Sequence, residues 1–376
     1  MNVNTLPTGR RALVSEFAED PVKAVNEHIA LEDQAVPDTS SLQAQDIIVQ
    51  VKSAAVGWVD LLMTSGLYQH TPPPPYSPGL EYSGIVVWVG ADVDSKQVAV
   101  GDRVLVDGFQ AGPRSAGNYQ QYGGFASYAV APARASHKIP ADFGFAEACN
   151  LLGSYETAYH CLVTRGQLKA GETVLIHGAS GATGMAAVHI AKLLGATVIA
   201  TGRSDAKLKV VQEQGADHII NCKDPNHPKG VTRFRDEVKA LTDGKGVDVV
   251  YDGVGGAISL ESMRCVKFNA RFLVVGWAAT PFVAKGEKGE SNANMLPTNL
   301  IMMKSLQVLG CPTVISTQFD PSSRAPRFNQ IMQWVSEGKI KPFISHQFSL
   351  DQVREALLAK WNGDVIGGCA INLPEL

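Results

Sequence analysis

No two cysteines in this chain share a Cys-x-x-Cys spacing; Cys149, Cys161, Cys222, Cys265, Cys311 and Cys369 are scattered singly. That distribution argues against a disulfide framework or a cysteine-rich metal module and predicts reduced thiols, with Cys222, just past a predicted strand, the one placed for exposure. An excess of positive charge is also missing. With 33 Lys and Arg against 36 Asp and Glu, the formal net charge is -3, so no overall basic field exists to attract a phosphate backbone and nucleic acid is not expected as a partner. Apolar runs stop short of the roughly 20 residues that cross a bilayer, and residues 1–10 lack the apolar core of a secretion signal. Neither a membrane partner nor export is expected, and a cytoplasmic location is. Finally, no Gly-Lys-Ser/Thr follows the glycine-rich segment described below, which excludes a mononucleotide P-loop.

What is present fits a soluble α/β enzyme. A length of 376 residues exceeds what one hydrophobic core serves, so two domains are expected. Up to about residue 150 the chain reads as short β-like runs at 46–52, 84–90, 102–107 and 126–130, the pattern of a β-rich barrel or sandwich. Between them, Thr71-Pro-Pro-Pro-Pro-Tyr-Ser-Pro78 is expected to be an exposed extended loop, because its prolines have no amide donors. Further on the texture changes to aliphatic strands alternating with helices, with strands at 173–177, 197–201, 218–221, 247–251, 271–275 and 306–310. Over 182–194, Ala186, Ile190, Leu193 and Leu194 form one stripe that would pack on the sheet. The final stretch breaks the alternation with a helix at 327–337, a strand at 343–348 and a helix at 350–360. It is expected to return to the first domain, giving a discontinuous β-rich domain over 1–153 and 313–376 and an alternating domain over 154–312. Residues 281–298, rich in Lys, Gly, Asn and Ser and including Lys285 and Lys288, read as a long loop.

The most informative segment is Thr173-Val-Leu-Ile-His-Gly-Ala-Ser-Gly-Ala-Thr-Gly-Met185, a strand that runs through a glycine-rich turn straight into an amphipathic helix. Gly178, Gly181 and Gly184 are spaced G-x-x-G-x-x-G rather than the commoner G-x-G-x-x-G. One permits a sharp turn, and Gly181 lets the amides of Ser180, Gly181, Ala182 and Thr183 approach a diphosphate at the helix N-terminus. Gly184 lets helix and strand pack closely. Where NAD-selective proteins place a carboxylate on the ribose hydroxyls, this chain has Thr201-Gly-Arg-Ser-Asp-Ala-Lys207. Arg203 and Lys207 can neutralise a 2′-phosphate and Ser204 can hydrogen-bond it, so NADPH is the expected cofactor, with Asp205 as the competing carboxylate. Asn221, closing the third strand of the unit, is placed with the cofactor residues.

That segment, with Pro78-Gly-Leu-Glu-Tyr-Ser-Gly-Ile-Val-Val-Trp-Val-Gly90, Val100-Gly-Asp-Arg-Val104, Gly124-Phe-Ala-Ser-Tyr128, Thr157-Ala-Tyr159 and Asp248-Val-Val-Tyr-Asp-Gly-Val-Gly-Gly256, resembles the zinc-free quinone oxidoreductase (zeta-crystallin-like) branch of the medium-chain dehydrogenase/reductase superfamily. The match is collinear over nearly the whole chain. It implies a GroES-like substrate domain, a Rossmann cofactor domain, an active site between them, and homodimers formed through the cofactor domains. Thr157 resembles the family residue beside the nicotinamide; Gly276, Trp277 and Ala278 end the fifth strand where relatives line the cofactor cleft, and Asn299 is expected nearby. Zinc-dependent relatives carry Gly-His-Glu where this chain has Gly79-Leu80-Glu81, and a ligand cysteine in the region of Val56-Gly-Trp-Val-Asp60. Two ligand positions are therefore lost and no metal is expected, with Asp60 and Glu81 left to hydrogen-bond locally.

Without a metal to polarise an alcohol, the expected reaction is hydride delivery from NADPH to a quinone or another electron-poor conjugated carbonyl compound. Many quinone oxidoreductases have an asparagine where Gly57 stands and a tyrosine near Leu62, and both are absent. Candidate proton donors are Tyr68, Tyr82 and Tyr155; Trp58, Tyr68 and Trp277 are candidate substrate walls, with core packing the competing reading for each. Two other functions stand beside the first: an enoyl or acrylyl thioester reductase, and an NADPH-binding scaffold or sensor without turnover.

Overall fold

The computed structural model describes residues 6–68, 70–115, 117–227, 230–280 and 294–376. The chain divides into two compact units, one made of Met1–Leu152 and Pro342–Leu376, the other of Gly153–Lys341. The expected loop at 281–298, Lys285 and Lys288 with it, falls outside the described residues as far as residue 293.

In the first unit, β1 (Gly9–Val14) and β2 (Ile29–Gln34) form an antiparallel pair. They are followed by β3 (Asp46–Ala55), β4 (Tyr82–Val89), β5 (Arg103–Val106), β6 (Tyr128–Pro132) and β7 (Ser136–Lys138). β3 lies at the centre, antiparallel to both β4 and β6. Alternate residues of a strand face opposite sides of a sheet: Ile47, Val49 and Val51 enter one core, with Tyr82, Val86 and Val104, while Ile48 enters another with Val87 and Val130. Burial on both faces explains why β3 reads as a nearly unbroken apolar run. The proline-rich loop is only partly exposed, contrary to expectation, because Tyr76, Ser77 and Pro78 are buried. Tyr76 bridges to β1: Val14 N donates to Tyr76 O at 2.9 Å and Tyr76 N donates to Val14 O at 3.3 Å.

The second unit contains β8 (Thr173–Ile176), β9 (Thr197–Gly202), β10 (His218–Asn221), β11 (Val247–Asp252), β12 (Val266–Val274) and β13 (Gln307–Gly310). They form one sheet in the order β10-β9-β8-β11-β12-β13, with every pairing parallel. This is the doubly wound order of a Rossmann fold, whose switch point lies between β8 and β11. β12 begins five residues before the strand expected at 271. The helix Ala182–Leu193 buries Met185, Ala186, Ala187, Val188, Ile190 and Ala191, whereas Leu193 emerges and is exposed. The expected stripe is thus wrong at its end: small alanines let the first two turns sink into the unit on nearly all sides. Cys222 is also buried, not exposed, and its thiol donates to Gly202 O at 3.2 Å.

The return to the first unit comes at Pro342, so residues 313–341 lie with the second unit and correct the boundary expected at 313. Ion pairing and ring packing both join this stretch to the second unit, with the Tyr159 and Trp334 ring centroids 5.7 Å apart. Glu156, on the helix Leu152–Tyr159, accepts from Arg327 Nε at 3.0 Å and from Arg324 Nη2 at 2.6 Å, which ties the helix Arg324–Ser336 to it. Beyond Pro342, β14 (Ile344–Ser349) runs parallel to β15 (Gly368–Asn372), and β15 joins the antiparallel sheet beside β3.

Candidate cofactor site

The site is built where β8 meets the helix Ala182–Leu193. Gly178 has φ +62°, a conformation that L side chains rarely adopt. A Cβ on Gly184 would lie 2.3 Å from Gly178 O and 2.8 Å from Ala179 Cα, so only glycine lets the helix start this close to the strand. Gly181 caps the helix in extended geometry, with no side-chain cap bond to its first-turn amides. The first amides of an α-helix have no intrahelical acceptor, and Ser180, Gly181, Ala182 and Thr183 all retain some exposure. The turn therefore offers amide donors and a helix dipole to an anionic group, as a dinucleotide diphosphate requires.

β9 ends beside this turn: Ala179 N donates to Thr201 O at 3.2 Å. Ser204 then caps the helix Asp205–Glu213 without a side-chain cap bond. Arg203 is exposed and Ser204 and Lys207 are half-buried. Asn221 at the end of β10 donates from Nδ2 to Asp205 Oδ1 at 2.8 Å, so the competing carboxylate is already engaged.

At the end of β11, Asp252 Oδ1 accepts from Val254 N at 3.0 Å and Gly255 N at 2.9 Å, while Oδ2 accepts a short hydrogen bond from the Ser259 hydroxyl. Asn294 Nδ2 donates to that same hydroxyl oxygen at 2.6 Å. Against this folded corner lie Gly276, Trp277 and Ala278: Gly276 N donates to Asp252 O and Ala278 N to Gly253 O, each at 3.2 Å. Trp277 is 41% exposed. Thr157 donates its hydroxyl to Gly153 O at 2.7 Å within its own helix, and Asn299 is exposed on the helix Thr298–Met303.

The aromatic candidates separate by burial. Tyr155 is buried and its phenol donates to His189 Nδ1 at 2.6 Å, because His189 Nε2 faces Gln214 Oε1 at 3.3 Å. Tyr82 is fully buried in β4, and its oxygen has no hydrogen-bond partner among the described residues. Tyr68 is half-buried, in edge contact with His70. Trp58 stacks on Trp361, centroids 5.5 Å apart and planes at 5°.

At the positions where zinc relatives carry ligands, the donor set does not fit the metal. Leu80 has no donor atom, and Asp60, three residues past Gly57, has both oxygens committed. Asp60 Oδ2 accepts from Gly57 N at 2.8 Å, and Oδ1 accepts from Leu80 N at 3.0 Å and Gly79 N at 3.2 Å. Burial nevertheless pushes this carboxyl up to about 6, against the pull of those amides. Among the described residues no three His, Cys, Asp or Glu side chains gather to hold an ion.

Several residues were given no role by the sequence: His177 and Asp252, though inside the segments 173–185 and 248–256, and Ser259, Ser262 and the Glu156 pairing with Arg324 and Arg327, which lie in no motif. A histidine closing the aliphatic run 173–177 was the one visible signal.

Known proteins agree with this architecture. Residues 43–141 match the family model of the alcohol dehydrogenase GroES-like domain, and residues 182–332 match that of the zinc-binding dehydrogenases. A quinone oxidoreductase-like protein 2 homolog of Nematostella vectensis is 33% identical over 352 residues, covering 93% of this chain and 86% of that one. The chain belongs to the medium-chain dehydrogenase/reductase superfamily, in its quinone oxidoreductase-like branch. The mouse quinone oxidoreductase-like protein 2 is 31% identical, over 84% of this chain and 81% of its own. Among solved structures, a probable oxidoreductase from Mycobacterium abscessus superposes with a TM-score of 0.76 at 26% identity, covering 97% of this chain and 99% of that chain. The first unit is accordingly GroES-like and the second Rossmann. Membership carries oxidoreductase function with a nicotinamide cofactor and a small-molecule substrate. No helix among the described residues is long and apolar enough to cross a membrane.

Proposed function

We propose that this member of the superfamily is an NADPH-dependent reductase of quinones or similarly electron-poor conjugated carbonyl compounds. The observation that carries the cofactor choice is the bond from Asn221 to Asp205. It engages one oxygen of the carboxylate that would otherwise take the ribose hydroxyls, beside a basic segment whose chemistry suits a 2′-phosphate. In this reading the amides of Ser180, Ala182 and Thr183 hold the diphosphate, that of Gly181 being taken by Gly178 O at 2.9 Å, and Arg203, Ser204 and Lys207 hold the 2′-phosphate. Thr157, Gly276–Ala278 and Asn299 flank the nicotinamide end. When bound, the reduced cofactor supplies a hydride to an electron-poor carbon. The chain's own part is to orient, to exclude water and to offer a proton to the oxygen that gains charge. Of the three phenols, Tyr68 suits the last task best, since Tyr82 and Tyr155 are buried. The donor set around Gly57 and Leu80 supports an acceptor that needs no Lewis acid.

The unit is also read as half of a homodimer. β13 closes the sheet with exposed Gln307, Val308 and Gly310, and Met302 and Met303 beside it are 74% and 66% exposed. An edge strand with no further strand beside it among the described residues, flanked by apolar side chains, suits pairing with a second copy. A cytoplasmic setting agrees with six cysteines that are all buried and unpaired.

The test is NADPH and NADH oxidation with a quinone and, separately, with an enoyl-CoA. The expected result is quinone turnover with KM for NADPH at least tenfold below that for NADH. Turnover of the enoyl-CoA alone points to a thioester reductase. Tight binding without oxidation of any acceptor points to a scaffold or sensor.

A further inference from the structure

One buried group at the cofactor turn has no part in the reading above. His177 follows β8 directly and precedes Gly178; it is 1% exposed, yet both ring nitrogens are engaged. Nε2 lies 2.6 Å from Ser262 Oγ, and Nδ1 lies 2.8 Å from Thr201 Oγ1. The Ser262 hydroxyl donates to Ile258 O at 2.6 Å, so its oxygen accepts from His177 and the ring proton sits on Nε2. Nδ1 is then an acceptor, and Thr201 donates to it. Burial pushes the imidazole down to about 4 despite the nearby Asp252 carboxylate, which keeps it neutral and this tautomer intact at ordinary pH.

Thr201 is therefore held to the glycine turn twice, through its carbonyl by Ala179 N and through its hydroxyl by His177. The following residue, Gly202, accepts at its carbonyl from Cys222 N at 2.9 Å and from the Cys222 thiol at 3.2 Å. Arg203, Ser204 and Lys207 begin immediately after this pinned pair. The His177 backbone N–H also donates to Tyr251 O at 3.0 Å, so the residue is anchored to β11 through its backbone and to β9 through its ring.

We propose that His177 is a positioning residue that fixes the spacing between the amide-lined turn and the 203–207 segment, and so sets the preference for NADPH over NADH. The inference rests on the cofactor reading given above. A dinucleotide with a 2′-phosphate presents an anion at both points, whereas NADH presents only uncharged ribose hydroxyls at the second, which hold it less strongly. Loosening the end of β9 thus weakens NADPH binding and leaves NADH nearly unaffected. A merely structural role would weaken both alike.

The experiment compares Kd for NADPH and NADH by calorimetry in the whole protein and in Thr201→Val, which keeps the shape but removes the hydroxyl. Loss of one buried hydrogen bond predicts that Kd for NADPH rises about fivefold to twentyfold while Kd for NADH changes less than about twofold. Thr201→Ser, which restores the hydroxyl, is expected to stay within about twofold of the parent for both. If Thr201→Val fails to fold, Ser262→Ala unpairs the other ring nitrogen and carries the same ratio test. An unchanged NADPH-to-NADH ratio in a parent that prefers NADPH overturns this inference alone. A parent that prefers NADH, or binds neither, overturns the cofactor reading and this inference with it.

Discussion

Around the cofactor turn of the second unit, His177 has both ring nitrogens paired and Asp252 accepts from two amides and a hydroxyl. Around β4 of the first unit, by contrast, the phenol oxygens of Tyr76 and Tyr82 and Nε of Arg114 are buried with no hydrogen-bond partner among the described residues. Asp60 in that neighbourhood accepts its hydrogen bonds among the described residues from three backbone amides, with the Arg114 charge nearby. A fully paired polar network in a low-dielectric interior specifies one arrangement, while an unpaired buried hydroxyl contributes nothing to specificity and destabilises. The second unit therefore fixes the turn itself through side-chain chemistry, although the His160 ring, the Tyr251 phenol and the Thr313 hydroxyl elsewhere in it are buried without a hydrogen-bond partner among the described residues. The first fixes its shape through β pairing and apolar packing.

Breaking the second unit's turn is expected to have the largest effect. Gly184→Val places a branched side chain on a Cβ that already lies 2.3 Å from Gly178 O, so the helix must move off the strand. Loss of detectable NADPH binding by calorimetry is the expected result, with a protein that is at best poorly folded by circular dichroism.

Next comes the ion-pair cluster. Glu156→Ala leaves Arg324 and Arg327 without their carboxylate, with Arg327 1% exposed. Removing one side of a buried pair costs about 3–5 kcal/mol, measurable as a lower midpoint in urea.

Asp60 sharpens the comparison through pH, because its shift is opposite in sign to that of His177. The folded-state carboxyl is raised from its ordinary 3.8 to about 6, so the folded chain holds this proton more tightly. Its contribution is greatest below 3.8 and is lost as pH rises to about 6. The His177 imidazole is lowered from 6.5 to about 4, so its contribution is fully present above 6.5 and is lost as pH falls towards 4. Between about 4 and 6 the two slopes oppose each other. Asp60→Asn removes the falling one, and stability measured by urea unfolding is then expected to climb more steeply with pH across that window.

The smallest effect is predicted for Tyr82→Phe, which removes an unpaired hydroxyl. Stability should stay within about 0.5 kcal/mol of the parent or rise, and NADPH oxidation should be unchanged. A marked fall in turnover at unaltered stability would instead make Tyr82 a participant in the reaction.

Much of the second unit was legible in the sequence because its signals are local. Strands 173–176, 197–202, 218–221 and 247–252 lie within a residue or so of their expected bounds, since an aliphatic run flanked by turn residues has few other ways to be buried. The glycine turn was legible for the same reason: spacing and φ requirements belong to the segment itself. What escaped was set by distant partners. The boundary at Pro342 depends on Glu156 meeting arginines some 170 positions away in the chain, and the burial of Tyr76 on its bridge to Val14. The inward turn of Cys222 depends on Gly202 across a strand pair.

The order of residues by itself determined that a strand, a glycine-rich turn and a helix would follow one another with exposed amides at the junction, because backbone conformation and periodicity are properties of a short stretch of chain. Only the tertiary structure decided that Asp205 is engaged by Asn221, that Tyr82 and Tyr155 are buried, and that His177 joins β9 to the turn. Hydrogen bonding and burial are relations between segments, and no single segment contains them.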